Sequence, residues 1–272
     1  MKLRGYATLT STYFVDEVLD LGDVVAMRCP NEPDFVDGNL LTFPRAPTEG
    51  DRADWEARFD AEFADLPDVT RRAFFWDDPQ GSEGAAASFE AAGYEVERST
   101  VRLATPSDLR PLERRPEGYT LNQAMNDEDW AAIPVLQARD SEGRDHHAAR
   151  LRRLEARARF LRSVAEGARP GLRGGWFIAR LHGSPVGTVG LFVREGLARY
   201  AFVHVVPTAR RQGVATAMVY DVARIGFDAW GAHTLVLMAD EGSAADGIYA
   251  RLGFRLVQRD VGLIERPGGR SS

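Results

Sequence analysis

The most informative segment of the chain is residues 203–215, Val203-His204-Val205-Val206-Pro207-Thr208-Ala209-Arg210-Arg211-Gln212-Gly213-Val214-Ala215. Its first half is an apolar strand pattern that ends at Pro207, because proline cannot donate a hydrogen bond to a sheet ladder. A polar loop with Gly213 follows, and the apolar residues after it recur at helical spacing. The segment therefore predicts a strand, a turn and the start of a helix.

The predicted turn has the properties of an anion site. The first amides of a helix have no intrahelical acceptor and carry the positive end of the helix dipole, so phosphate groups bind there. Gly213 and the small Ala215 leave room for a phosphate to approach the backbone, and Arg210 and Arg211 add positive charge. On these residues alone, a phosphate site and an ordinary helix start both remain open.

The elements predicted around this turn follow an α+β order. Turn signals at His182-Gly183 and Glu195-Gly196 separate three strands of an antiparallel meander. Strands are predicted at residues 119–124, 175–181, 186–194, 198–206, 233–239 and 254–263. Helices are predicted at residues 127–139, 145–166 and 243–252, and after Gly213.

A second motif, Tyr249-Ala250-Arg251-Leu252-Gly253-Phe254, follows one strand further along the chain. Together the two motifs resemble the GNAT superfamily of N-acetyltransferases, and the resemblance covers about residues 117–265. It implies an enzyme that moves an acetyl group from acetyl-CoA to an amine of a small molecule or peptide, by direct attack in a ternary complex and without a metal. The alternative is a non-catalytic acyl-CoA-binding or regulatory module with the same fold.

The resemblance also implies roles for individual residues. Main-chain groups of Val203 and Val205 would bond the pantetheine arm of acetyl-CoA. The turn and first helical residues would hold its pyrophosphate: Arg210, Arg211, Gln212, Gly213, Val214, Ala215 and Thr216. Tyr249 would be the general acid that protonates the departing thiolate, since a phenol has a pKa near 10. Spacing alone would make Tyr249 a helix aromatic packed on the sheet.

The general base is not identified by the sequence. Strict strand alternation places Arg199 and Ala201 on the face of Val203 and Val205, and neither can act as a base. His204 then falls on the opposite face as a packed histidine, although a bulge in the strand would reverse this assignment. Further candidates, each equally explained as a solvated surface group, are Glu195, Asp240, Glu241 and the pair His146-His147.

The first half of the chain contains a degenerate copy of both motifs. Residues 88–101 align without gaps on residues 248–261 when Phe89 is laid on Tyr249, and Gly50 follows Pro44 at the interval at which Gly213 follows Pro207. At the turn the copy has Pro47, Glu49 and Asp51, and its carboxylates would repel a pyrophosphate. We therefore predict an α+β protein with two GNAT-like domains, each a mixed, mostly antiparallel sheet flanked by helices.

Composition and charge fit this division. Residues 1–115 carry 13 Lys+Arg and 23 Asp+Glu, whereas residues 116–272 carry 21 and 17. The predicted domains are 1–104, GNAT-like without a cofactor motif, a proline-rich linker at 105–118, and 119–272, which binds acetyl-CoA. Neither half is basic enough for nucleic acid, and no apolar run spans a membrane. The lone Cys29 fits a cytoplasmic protein, expected as a monomeric pseudo-dimer or a homodimer.

Overall fold

The computed structural model describes residues 1–139 and 144–267, and the chain divides into two compact units. Unit 1 comprises Met1–Val101, Met238–Ser243 and the residues from Val257 onward. Unit 2 comprises Arg102–Leu237 and Ala244–Leu256. The division at 1–104, 105–118 and 119–272 stays a prediction.

The chain alternates helices and strands as an α+β protein. The helices are α1 (Tyr6–Ser11), α2 (Asp51–Glu62), α3 (Ala86–Glu90), α4 (Asp127–Ala138), α5 (Arg144–Ala165), α6 (Val214–Ala229) and α7 (Ala244–Arg251). The strands are β1 (Glu17–Asp20), β2 (Val25–Arg28), β3 (Leu40–Phe43), β4 (Ala73–Trp76), β5 (Tyr94–Ala104), β6 (Tyr119–Gln123), β7 (Arg173–Leu181), β8 (Ser184–Arg194), β9 (Leu197–Val205), β10 (Thr234–Asp240) and β11 (Arg255–Glu265).

The sheet of unit 2 is mixed and mostly antiparallel. Strands β6, β7, β8 and β9 pair antiparallel in sequence order, and β10 pairs parallel with β9. The turns of this meander contain Gly183 and Gly196, both with positive φ, as the sequence predicts. The predicted meander is therefore confirmed to within about two residues at each strand end.

Helices cover both faces of the unit 2 sheet. Gly187 of β8 lies against α6, because a Cβ there would come within 2.7 Å of the Met218 sulfur. The next residue, Thr188, accepts a hydrogen bond from the Gln137 side chain of α4 at 3.3 Å. Successive strand residues point to opposite faces, so α6 covers one face and α4 the other.

From its meander onward, unit 1 repeats the order of elements of unit 2. Strands β1, β2 and β3 form an antiparallel meander, β3 pairs parallel with β4, and β11 pairs antiparallel with β4. Its core is aromatic, with Trp55, Phe59, Phe74 and Phe89 all buried. The α+β fold with a mostly antiparallel sheet flanked by helices is confirmed.

Position 253 in the second motif must be glycine, because the backbone at Asp108 lies very close to it. Its φ is +99°, and a Cβ there would lie 1.9 Å from the carbonyl oxygen of Asp108. The segment around Asp108 is held at this place, since the Arg110 amide donates to the Leu252 carbonyl at 2.9 Å. Any side chain at residue 253 would therefore displace the chain at the end of α7.

Within residues 1–139 and 144–267, no helix has the length and apolar character needed to cross a bilayer.

Candidate active site

The turn between β9 and α6 contains two left-handed residues. Arg211 has φ +62° and Gly213, which precedes α6, has φ +83°. Among the described residues other than its chain neighbours, the nearest atom to a Cβ on Gly213 would belong to Pro116, at 3.7 Å. Arg210, Arg211, Gln212 and Gly213 are all exposed.

The turn is stabilised from within, without use of its own outward amides. The Arg210 side chain donates to the Val205 carbonyl, and the Gln212 side chain donates to the Thr208 carbonyl, each at 3.0 Å. The first amide with an acceptor in α6 is that of Ala217, which donates to the Gly213 carbonyl at 3.0 Å. The amides of residues 214–216 therefore have no intrahelical acceptor.

Strand β9 leaves one edge open beside this turn. Its parallel pairing with β10 covers Leu197, Ala198 and Arg199, which face Thr234, Leu235 and Val236. Within the described residues, Arg199 is the last residue of β9 paired to β10, although β9 continues to Val205. The predicted binding residues Val203 and Val205 thus lie on a stretch whose backbone edge is not used by β10.

A β-bulge interrupts β9 next to the open edge. Thr188 of β8 pairs with His204, and Gly190 of β8 pairs with Ala201. Val189, the one residue between Thr188 and Gly190, therefore lies opposite two residues of β9, Phe202 and Val203. Phe202 has φ +48°, which is strained for a bulky residue.

The bulge changes the face on which His204 lies. Tyr200 lies on the α6 face, where its hydroxyl donates to the Val219 carbonyl at 2.7 Å. His204 is paired with Thr188, which lies on the α4 face. Strict alternation predicts that His204 lies on the face opposite to that of Arg199 and Ala201. This prediction is wrong, because the extra residue of the bulge reverses the alternation of faces after it.

Tyr249 lies in α7 and is buried, with 4% of its surface exposed. Its ring lies 6.4 Å from that of Phe254. The pKa of Tyr249 is raised to about 12, mainly by burial. The charge of Arg199 lowers this pKa and that of Asp246 raises it, both by smaller amounts. The phenol is therefore held in its protonated form over the whole neutral range.

The equivalent turn of unit 1 is occupied by its own side chain. Gly50 has φ +94° and precedes α2, as Gly213 precedes α6. Here, however, the Asp51 carboxylate accepts hydrogen bonds from the Thr48 amide at 2.6 Å and from Arg45 at 2.6 Å. The hydrogen bond from Arg45 holds the pKa of Asp51 well below its usual range.

Strand pairing in unit 1 also runs to the end of β3. Phe43, the last residue of β3, faces Trp76, and its carbonyl accepts from the Asp77 amide at 2.8 Å. The loop carbonyl of Pro47 accepts from Ala85 at 2.8 Å. The strand edge that β9 leaves open is therefore closed in β3.

A cavity of about 350 Å³ lies on the α4 face of unit 2. Its described lining consists of Gln137, Arg150, Arg153, Leu154 and residues 202–204. The sequence predicts a helix at residues 145–166 but does not single out these two arginines, because arginine recurs on several sides of α5. The i, i+3 spacing of Arg150 and Arg153 places them on one face of α5, but Arg159 and Arg162 have the same spacing, so it does not single them out.

The other candidate bases lie elsewhere. Glu195 is exposed in the β8–β9 turn, at the opposite end of β9 from Val205. Asp240 and Glu241 belong to unit 1, where Glu241 pairs with Arg259 at 2.9 Å. The side chains of His146 and His147 lie outside the described residues. Among those residues, no group of His, Cys, Asp and Glu could hold a metal ion.

Residues 130–254 match the family model described as Acetyltransferase (GNAT) family. The matched region starts in α4 and ends after α7, so it includes both the β9–α6 turn and Tyr249. The resemblance drawn from the two motifs is confirmed, and the chain is an acyltransferase with a GNAT domain. A comparison with curated proteins gave no match.

Solved structures of similar fold extend over nearly the whole chain. A GCN5-related N-acetyltransferase from Kribbella flavida is 19% identical, with a TM-score of 0.66 over 96% of this chain and 94% of that one. A GCN5-related N-acetyltransferase from Sphaerobacter thermophilus is 20% identical, with a TM-score of 0.57 over 92% and 83%. A tandem GNAT protein from the clavulanic acid biosynthesis pathway is 16% identical, with a TM-score of 0.57 over 99% and 91%. At these identities the likeness establishes the fold.

Proposed function

We propose that this GNAT-type acyltransferase moves an acetyl group from acetyl-CoA to an amine, by direct attack in a ternary complex. The observation that carries the proposal is the contrast between the two turns. The turn at Gly213 has outward amides without intrahelical acceptors, whereas the turn at Gly50 is filled by Asp51. The first is an open anion site, and the second is already neutralised from within.

The pyrophosphate of acetyl-CoA would lie over the Gly213 turn. Its oxygens would accept hydrogen bonds from the amides of residues 211–216, at the positive end of the α6 dipole. Arg210 and Arg211 add two positive charges beside a group that carries negative charge. Gly213 would allow close approach because it has no side chain and because, in the described part of the chain beyond its two neighbours, the nearest atom to a Cβ there lies 3.7 Å away.

The pantetheine arm would follow the open edge of β9. Backbone N–H and C=O groups of Val203 and Val205 would bond its amides, much as an added strand pairs with a sheet edge, and the arm would share the Val205 carbonyl with the Arg210 side chain. This placement would lead the thioester from the turn toward the bulge at Phe202, beyond which β9 pairs with β10.

The chemistry then needs two proton transfers. The neutral amine attacks the thioester carbonyl, a C–N bond forms, and the C–S bond breaks. Tyr249 donates its proton to the departing thiolate, and a base takes the proton that the amine nitrogen loses. With a pKa raised to about 12, Tyr249 is protonated over the whole neutral range, so the proton that it would donate is present when the thiolate forms.

The first half of the chain would be a second GNAT-like domain that has lost its cofactor. Its element order, its left-handed Gly50 and the filled turn support this interpretation. Phe89, at the position of Tyr249, lies in the aromatic core with its ring 5.7 Å from Trp55. We propose a pseudo-dimer of two such domains in one chain, located in the cytoplasm, where the buried thiol of Cys29 would stay reduced.

Release of free CoA tests this function. The protein is incubated with acetyl-CoA and a panel of amines, amino acids, aminoglycosides and peptides, and free thiol is measured. Turnover with any acceptor above the rate of a Tyr249→Phe variant supports the proposal. Tight binding of acetyl-CoA with no turnover across the panel would favour a non-catalytic acyl-CoA-binding module instead.

A further inference from the structure

The described lining of the cavity on the α4 face of unit 2 is positively charged. Two of its described lining residues are arginines, Arg150 and Arg153, and none is acidic. Both are exposed at the surface of α5, so the cavity opens to solvent on its cationic side. Arg150 is also oriented toward α4, since its guanidinium donates to the Gln137 carbonyl at 3.4 Å.

The opposite wall of the cavity is the strained part of β9. Phe202 has φ +48°, and 44% of its surface is exposed. Its ring stacks on that of Trp176, with 6.0 Å between the ring centroids. A bulky residue is held in this conformation only when its surroundings fix it, and such strain concentrates at functional sites. The bulge places three successive residues, Phe202, Val203 and His204, on this wall.

We propose that this cavity binds the acceptor, and that the acceptor is a small amine that also carries a carboxylate. This inference rests on the proposed function, because it assigns the second substrate of the same site. Arg150 and Arg153 would hold the carboxylate through charge-assisted hydrogen bonds. The amine would then point away from them, toward Val203 and the thioester.

The dimensions of the cavity fit an acceptor of this class. A volume of about 350 Å³ lies at the small end of the roughly 300–1,000 Å³ of sites for small molecules. The two arginines would also lower the pKa of a nearby ammonium group, which increases the fraction of neutral, nucleophilic amine.

His204 is the proton acceptor that this arrangement provides. Among the described lining residues, it is the one side chain whose neutral form carries a basic ring nitrogen. The amine nitrogen forms its bond to the acetyl carbon, its proton passes to the imidazole, and the thiolate leaves with the proton of Tyr249. Solvent then returns one proton to Tyr249 and removes one from His204, so the cycle balances.

Matched acceptor pairs test the inference. Each of a set of α- and ω-amino acids is compared with its carboxamide, which keeps the amine and the size but removes the charge. We expect kcat/KM for at least one acid to exceed that for its amide by about tenfold or more, as for one charge-assisted hydrogen bond. In the double variant Arg150→Gln/Arg153→Gln, this preference should fall to within about twofold through a raised KM.

Two controls separate the possible failures. Arg152→Gln, on the same helix and exposed, should keep the preference for the acid. Acetyl-CoA affinity is measured by calorimetry in every variant and should be unchanged. If acetyl-CoA binds but acids and amides react equally, or no acid reacts, the inference on the acceptor is wrong. If the wild-type protein does not bind acetyl-CoA, the proposed function itself fails.

Discussion

The carboxylate of Asp51 accepts a hydrogen bond from the backbone amide of Thr48 at 2.6 Å. In unit 2, the positions of these two residues are taken by Val214 and Arg211. The same turn thus carries an internal anion in one half of the chain and open amides in the other. This difference explains why only the second half is expected to hold a pyrophosphate, since the anion site of the first half is already filled by a carboxylate that would repel a phosphate.

Removal of Asp51 should destabilise unit 1 without affecting the cofactor. Asp51→Ala leaves the Thr48 amide and Arg45 without their acceptor, and we expect a loss of about 1 kcal/mol at pH 7, as for loss of a helix cap. Urea unfolding at pH 7 measures this. Asp54→Ala, in the same turn but exposed, is the matched control and should change stability by less than about 0.5 kcal/mol.

The effect of Asp51→Ala should depend on pH in a defined direction. The folded state lowers the pKa of Asp51, mainly through the hydrogen bond from Arg45. Its stabilisation is therefore complete above the unfolded-state value of about 3.9 and is lost as pH falls below it. The difference in stability between wild type and variant should shrink between pH 5 and pH 3. A difference that grew over this range would contradict the assignment.

Substitution of Tyr249 should affect chemistry more than binding. Tyr249→Phe keeps the ring near Phe254 and removes the proton, so we expect kcat to fall by about 10²-fold, with acetyl-CoA affinity within about twofold. Tyr200→Phe is the matched control, because it removes another buried hydroxyl, one that donates to the Val219 carbonyl. That variant should lose about 1 kcal/mol of stability and keep most of its turnover. Equal kcat values for the two variants would argue against Tyr249 as the acid.

The pH–rate profile should show no tyrosine titration below pH 10. Burial raises the pKa of Tyr249 to about 12, and an acid works only while protonated. At saturating substrates, kcat should therefore not fall between pH 8 and pH 10. A falling limb in this range, absent from Tyr249→Phe, would mean that the phenol ionises at its ordinary pKa.

The ion pair between Arg102 and Asp246 should position α7. Arg102 bonds both carboxylate oxygens of Asp246, at 2.5 and 2.9 Å, and donates to the Phe254 carbonyl at 3.2 Å. Asp246→Asn should reduce stability by about 2 kcal/mol, because Arg102 would keep a poorly compensated charge. It should also lower kcat with little change in the KM for acetyl-CoA. Asp228→Asn, which breaks an exposed ion pair with Arg224, should change neither the stability nor kcat by a measurable amount.

Much of unit 2 could be predicted from the sequence because its signals are local. The glycines of the meander turns and Pro207 fix where strands end, and the two motifs with Gly213 and Gly253 fix where helices begin and end. The bulge at Phe202 could not be predicted, because β9 has the same apolar pattern with or without an extra residue. Strict alternation therefore predicts the wrong face for His204.

The acceptor cavity also depends on tertiary structure. Arg150 and Arg153 have no local property that separates them from the exposed arginines of α5, and only the packing of α4 and α5 on the sheet brings them near β9. The filled turn at Asp51 could be predicted in part. The sequence predicts a carboxylate at this turn, and the structure adds that the carboxylate accepts a hydrogen bond from an amide of the same turn.

Titration calorimetry with acetyl-CoA tests the central claim most directly, with Gly213→Asp and Gly50→Asp as a matched pair. Both glycines have positive φ, at +83° and +94°, and both precede a helix. We predict one bound acetyl-CoA per chain, lost in Gly213→Asp and unchanged in Gly50→Asp. Two bound molecules per chain, or binding that survives in Gly213→Asp, would contradict the account.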